Sequence, residues 1–347
     1  MYIKNLRLKD RYSILRPLTT DEQEYFAISI CNFFSPMRYK KNCEILGIEA
    51  DPKSIRPFSF GDLLKFLKQE SSLDPYAYNH HLVRMIRKLV NDAILIDAGY
   101  SSKGSTPYIN CYYTHVEMTD KQKLNNFWLG NILGEEFIME RFRSYIIRFE
   151  GVYRDGISGT GSGILINENT ILTCRHNLTD LTRYKCFIGD KELEISTHDY
   201  HEKHDIGIVK LKSPEKRNTF PYFGFPYELD NTLTMGYPPL RGMREAPLIS
   251  QKGEINAKSK DWNNCDCITI SSTVRPGNSG GPVISQNGYI VGIVTQYANS
   301  ANSVSSDKTD FRDGNSIPFY NAIASTDIVN ILNELDNSIP IHFEDYQ

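Results

Sequence analysis

The sequence predicts two unlike parts in one chain: an α-rich N-terminal region, then a mainly β region of barrel or sandwich type. Three observations predict this. Apolar residues recur at helical spacing up to about residue 143. Beyond it come short apolar runs parted by glycine- and proline-bearing turns, as in all-β domains. Within that second part, TVRPGNSGGPVI (273–284) sets one serine among glycines in a run that otherwise reads as strand. Glycines weaken a strand, so they mark a bend or a close approach there. The predicted divisions are 1–118 for the helical region, 119–143 for a connecting helix, 144–336 for the β domain and 337–347 for a C-terminal tail.

The elements follow in order. DEQEYFAISICNFF (21–34) opens acidic and then presents an apolar face. SFGDLLKFLKQ (59–69) begins with Ser59 as a helix cap. DPYAYNHHLVRMIRKLVNDAILIDAG (74–99) carries Leu82, Met85, Ile86, Leu89 and Val90 at helical spacing, then passes into a strand. YSSKGST reads as a turn and PYINCYYTH as a second strand. KLNNFWLGNILGEEFIMERFRSY (123–145) reads as a connecting helix weakened by Gly130 and Gly134. The β region offers strands at YIIRFEGVY, GSGILI, TILTC, YKCFIG, DIGIVKLK, TLTMGYP, CITISST, GPVIS and GYIVGIVTQ. A closing helix, STDIVNILNEL (325–335), takes Ser325 as its cap. The polar run 297–316 reads as a mobile loop.

Composition excludes some classes. A net charge of −3 over 347 residues does not describe a protein that coats nucleic acid by bulk charge. No run approaches the ~18 apolar residues of a membrane span, so no membrane partner is expected. Seven cysteines, behind a start without a signal-peptide core, predict a cytoplasmic protein with reduced thiols. NCDC (264–267) lacks a second cysteine pair at zinc-site spacing. HDYHEKHD (198–205) spaces its histidines by three but leads straight into a strand. Both therefore read as structural, and no metal or other cofactor is expected.

Three segments carry chemistry. His176 stands in TILTCRH, Asp205 in HDIGIVKL and Ser279 in GNSGGPVI. A neutral hydroxyl is a poor nucleophile, so Ser279 needs a base to take its proton. His176 can do this, and a carboxylate at Asp205 would hold the imidazole in the right tautomer. GTGSG (159–163) runs on into a strand, not a helix, which argues against a phosphate loop.

These segments, with TMGYP at 234–238, resemble the trypsin/chymotrypsin-like serine proteases, and the HtrA-type and other bacterial branches most closely. The resemblance covers about residues 144–335, and no PDZ-like segment follows it. It implies a chymotrypsin-like double β-barrel. It also implies a serine endopeptidase, with Ser279 as nucleophile, His176 as general base then acid, and Asp205 as orienter. The backbone N–H groups of Gly277 and Ser279 would form the oxyanion hole. Thr273 would sit at the base of the primary pocket, lined also by Thr295 and Tyr297, so basic side chains are disfavoured there. Protein is the expected substrate.

Helix, helix, helix, strand, turn, strand across 21–115 resembles a winged helix, with His81, Arg84 and Lys88 on one helix face. Acidic and basic residues nearly balance over 1–140, so a regulatory protein or ligand is the favoured partner of this region, with DNA second. The appended region and the absence of an export signal resemble proteases used inside bacteria in defence or stress responses. The rival expectation is a DNA-binding regulator whose barrel serves partner binding or self-cleavage.

Overall fold

The computed structural model describes residues 17–51, 53–71, 74–101, 104–115, 117, 126–297 and 319–344, without the side chains of Gln296 and Tyr297. The expected mobile loop falls almost wholly outside these residues. The chain divides into two compact units, 1–133 and 134–347.

The first element among the described residues of the first unit is α1 (Thr20–Phe34). Thr19 Oγ1 accepts from the Glu22 N–H, and the Glu22 carboxylate accepts from the Thr19 N–H. Two otherwise orphaned helix donors are satisfied this way. Its apolar face buries Phe26, Ile30, Phe33 and Phe34. There follow α2 (Tyr39–Leu46), β1 (Phe58–Ser59), α3 (Phe60–Glu70) and α4 (Asn79–Asn91). Ser59 caps α3 through a reciprocal pair with Asp62, as the sequence predicts. Leu82, Met85, Ile86 and Leu89 of α4 are buried, while Val90 is only partly so. β2 (Leu95–Tyr100) and β3 (Asn110–Thr114) complete a three-stranded antiparallel sheet of order β1-β3-β2.

The expected connecting helix is not continuous. A short 3₁₀ turn (Phe127–Leu129) and α5 (Gly130–Leu133) stop at Gly134. There φ is +88°, which L side chains rarely adopt. A new helix, α6 (Glu135–Arg143), starts beyond it and belongs to the second unit.

In the second unit, β4 (Ile146–Val152), β5 (Ser158–Asn167), β6 (Thr170–Thr173), β7 (Thr182–Ile188), β8 (Lys191–Leu193), β9 (Ile195–Tyr200) and β10 (Gly207–Leu211) form one sheet. Its order is β8-β7-β4-β5-β6-β10-β9. A short helix, α7 (Arg175–Thr179), follows β6. The other strands are β11 (Asn231–Gly236), β12 (Ile249–Lys260), β13 (Asp266–Ile270), β14 (Pro282–Ser285), β15 (Ile290–Tyr297) and β16 (Tyr320–Ala324). They close a barrel in the order β11-β12-β13-β16-β15-β14 around Ile255, Ile268, Ile270, Val283 and Val294. This is the mainly β double-barrel architecture that the resemblance implies.

β12 was not legible in the sequence. Among its 12 residues only Ile255 is buried, so no alternating apolar signal marks it. The last helix is α8 (Ser325–Leu335). Ser325 is not its cap: the cap position is Ala324, and the buried Ser325 hydroxyl donates instead to Gly224 O at 2.6 Å. The segment expected as a tail returns to the barrel. The Phe223 N–H donates to His342 O and the Glu344 N–H to Phe223 O, at 2.8 and 2.7 Å.

Candidate active site

His176 is placed by the end of β6. Cys174 takes the cap position of α7, which puts His176 in the first turn. Asp205 lies in the tight loop joining β9 to β10, whose strands pair Tyr200 with Gly207. The Asp205 carboxylate accepts from the His176 backbone N–H at 3.1 Å. It also meets His176 Nδ1 at 3.0 and 2.8 Å. An acceptor on Nδ1 puts the proton there and leaves Nε2 as the basic nitrogen. Both side chains are roughly a quarter exposed, so solvent and substrate can reach them.

Ser279 lies in the loop between β13 and β14. Arg275 to Asn278 make a turn, with the Asn278 N–H donating to Arg275 O at 2.9 Å. Pro276 and Gly277 are its central residues, and Gly277 has φ +96°, as a type II turn demands of its third residue. Among the described residues no acceptor meets the N–H of Gly277 or of Ser279. The Ser279 hydroxyl donates to Thr295 O at 2.8 Å.

A set of residues overlooked in the sequence binds this loop to the first sheet. The Ser162 N–H donates to Ser279 O at 2.9 Å. The buried Ser162 hydroxyl donates to Gly277 O at 2.6 Å and accepts from the Tyr237 N–H at 2.8 Å. Asn177 Nδ2 donates to Ser279 O at 2.8 Å. The signal was present in GTGSG: a Cβ on Gly161 would press into Asn177, and one on Gly163 into Phe149. Gly161 lets β5 approach Asn177, which holds the nucleophile loop.

Of the expected pocket residues, Thr273 lines a cavity of about 370 Å³ together with Val274, Arg275, Pro276, Pro239 and Tyr320. Tyr320 and Pro239 were not anticipated. The backbone of Tyr297 pairs with Tyr320 across β15 and β16, but its side chain lies outside the described residues. Thr295 acts here through its carbonyl, which accepts from Ser279; its hydroxyl donates to Asn321 O at 3.4 Å.

Cys174 is fully buried two residues before His176, with its thiol donating to Val294 O at 3.1 Å. Burial, then the nearby Asp205 charge, push this thiol well above its ordinary range. It is a packed neutral group, not a nucleophile.

A His–Asp pair and a serine in a glycine-cornered loop, carried by two β-sheets, are the groups that serine hydrolases use. Residues 161–293 match the family described as "Trypsin-like peptidase domain". The "Probable periplasmic serine endoprotease DegP-like" of Brucella suis biovar 1 is 29% identical over 142 residues, covering 39% of this chain and 27% of that protein. "Serine protease HTRA1" of Xenopus laevis is 28% identical over 160 residues, covering 41% and 32%. The chain thus matches only about a third or less of the length of these relatives. Among solved structures, the Rv3671c protease of M. tuberculosis in its active form is 17% identical and aligns over 70% of this chain and 97% of its own, with a TM-score of 0.47. The serine endoprotease of Yersinia pestis aligns over 58% and 66%, with a TM-score of 0.45.

The expected cytoplasmic location is overturned by these relatives, since those of Brucella and Chlamydia trachomatis are named periplasmic. All seven cysteines are buried free thiols, and burial shields a thiol from external oxidants in either compartment. Their number therefore does not report the redox surroundings. Within the described residues no helix is long and apolar enough to cross a membrane.

Proposed function

We propose that the chain is a serine endopeptidase acting on protein substrates through Ser279, His176 and Asp205. The observation that carries this is the Asp205 carboxylate held on His176 Nδ1 at 2.8 Å, which fixes Nε2 as the base. In the reaction the Ser279 hydroxyl turns from Thr295 O to His176 Nε2 and gives up its proton as Oγ attacks the scissile carbonyl. The N–H groups of Gly277 and Ser279 receive the negative charge that develops on the carbonyl oxygen. The imidazolium, stabilised by Asp205, then protonates the leaving amine. Water completes the cycle by the same steps on the acyl-enzyme. The periplasm named for the relatives is taken as the compartment.

Labelling with a fluorophosphonate probe tests the assignment. One label per chain is expected on Ser279, none on the Ser279→Ala variant. Labelling that survives this change would place the nucleophile elsewhere.

The pocket reading extends the proposal. Thr273 is neutral and Arg275 lines the same cavity, so a basic substrate side chain finds no carboxylate there among the described residues. A fluorogenic peptide library is expected to show poor cleavage after Arg and Lys. A strong preference for them would remove Thr273 from the pocket base. The residue before the nucleophile, Asn278, is buried and neutral, so it cannot pair with a newly cut N-terminal amine. Control is therefore assigned to the N-terminal unit, by a bound protein or ligand that shifts the nucleophile loop between populations. The order of its helices, with the sheet order β1-β3-β2, supports reading it as a winged helix used for partner contact.

A further inference from the structure

Two motifs that read separately in the sequence, HEKHD (201–205) and NCDC (264–267), come together in the second unit. His204, Asp261 and Cys265 each bring a donor atom within 4.8 Å of the other two. His204 belongs to the loop between β9 and β10, whereas Asp261 and Cys265 belong to the turn joining β12 to β13. Asn263 Nδ2 donates to Lys203 O at 3.2 Å and ties the two loops together.

Each donor is held in place. Asp261 Oδ1 accepts from the N–H groups of Asn263 and Cys265, both at 2.8 Å, and no hydrogen bond occupies Oδ2 among the described residues. The His204 N–H donates to His201 Nδ1 at 3.0 Å, and the two rings stack 4.7 Å apart. Glu334 meets His201 Nε2 at 3.1 Å and so fixes that ring as well. His204 Nδ1 is buried without any hydrogen-bond partner. A buried, unpartnered ring nitrogen calls for an explanation, and a bound ion is one. Cys265 is 1% exposed.

We propose that His204, Asp261 and Cys265 form a transition-metal site of the zinc class, separate from the catalytic residues, that clamps the Asp205-bearing loop to the β12–β13 turn. One imidazole nitrogen, one carboxylate oxygen and one thiolate sulfur suit Zn²⁺ and not the oxygen-seeking Mg²⁺ or Ca²⁺. Metal–ligand bonds of about 2.0–2.3 Å set the donors of a tetrahedron roughly 3.4–3.7 Å apart. Side-chain rotation closes the present group to that spacing. Water completes the fourth position. On uptake the Cys265 S–H bond breaks, a metal–sulfur bond forms, and the proton goes to solvent. The hydrogen bond with Cys267, then burial, push the Cys265 thiol up, so the metal competes with that proton.

The test uses the full chain carrying Ser279→Ala, stripped with chelator and titrated with cobalt(II) as a spectroscopic substitute for zinc. One cobalt per chain with a thiolate-to-cobalt charge-transfer band is expected. Cys265→Ser should abolish the band, and Asp261→Asn or His204→Gln should weaken binding at least tenfold. His176→Ala should keep both band and stoichiometry. That control is needed because Cys174, His176 and Asp205 also bring donors within 4.8 Å of one another. Absence of stoichiometric cobalt, a band that survives Cys265→Ser, or a band lost with His176→Ala would each overturn the proposal. If circular dichroism shows Cys265→Ser unfolded, the exposed Asp261→Asn decides: unchanged affinity there rejects the site.

Discussion

Ser279→Ala is expected to lower peptide hydrolysis by about 10⁴–10⁶-fold while leaving the fold intact. The side chain is only partly buried, and among the described residues its hydroxyl bonds Thr295 O alone, so removing the oxygen costs little packing. His176→Ala should fall in the same range, because the two groups act as one proton-transfer unit. Asp205→Asn should cost about 10⁴-fold, since an amide can donate to Nδ1 and so stabilise the wrong tautomer. Steady-state kinetics on one peptide, with circular dichroism of each variant, measures all three. Near-normal turnover by folded Ser279→Ala would remove the nucleophile from the assignment. Additive losses in the Ser279→Ala, His176→Ala double variant would show that the two residues do not work together.

Gly280→Ala is expected to be severely damaging although it removes none of the reacting groups. Gly280 has φ +85°, and a Cβ there would press into Ser162 O and Thr173 Oγ1. The left-handed conformation and the clash each cost about 1–3 kcal/mol. With roughly 3 kcal/mol lost, the melting temperature should drop by about 6–12 °C. Activity should fall more than 10²-fold, because the loop carrying Ser279 must shift to make room. Differential scanning calorimetry and kinetics on the same preparation test this. A variant that melts and turns over like the parent would show that the loop has slack the structure does not display.

The sequence revealed what depends on local pattern. Apolar spacing marked α1, α3 and α4, and alternating or continuous apolar runs marked β4 to β7, β10, β11 and β13 to β15. The three residues proposed to react were legible because each sits in a short motif beside a strand, local in sequence. Elements that face solvent on most sides left no such trace. β12 is polar along nearly its whole length, and only its pairing with β11 and β13 makes it a strand. The break at Gly134 was marked as a weakness and is a boundary. Contacts distant in sequence could not be read at all. Ser162 reaches Gly277 across 115 residues, and His204 meets Asp261 and Cys265 only through the packing of two loops.

The double role of Ser162 has a mechanical consequence. Its N–H and hydroxyl both grip the nucleophile loop from the opposite sheet, so the seam between the sheets and the reactive geometry share the same bonds. No breathing motion that parts the sheets at this point can leave the serine poised. The proposed proteolytic competence and the integrity of the seam therefore rise and fall together. An agent that prises the seam open would silence the chain without touching the histidine, the aspartate or the serine itself.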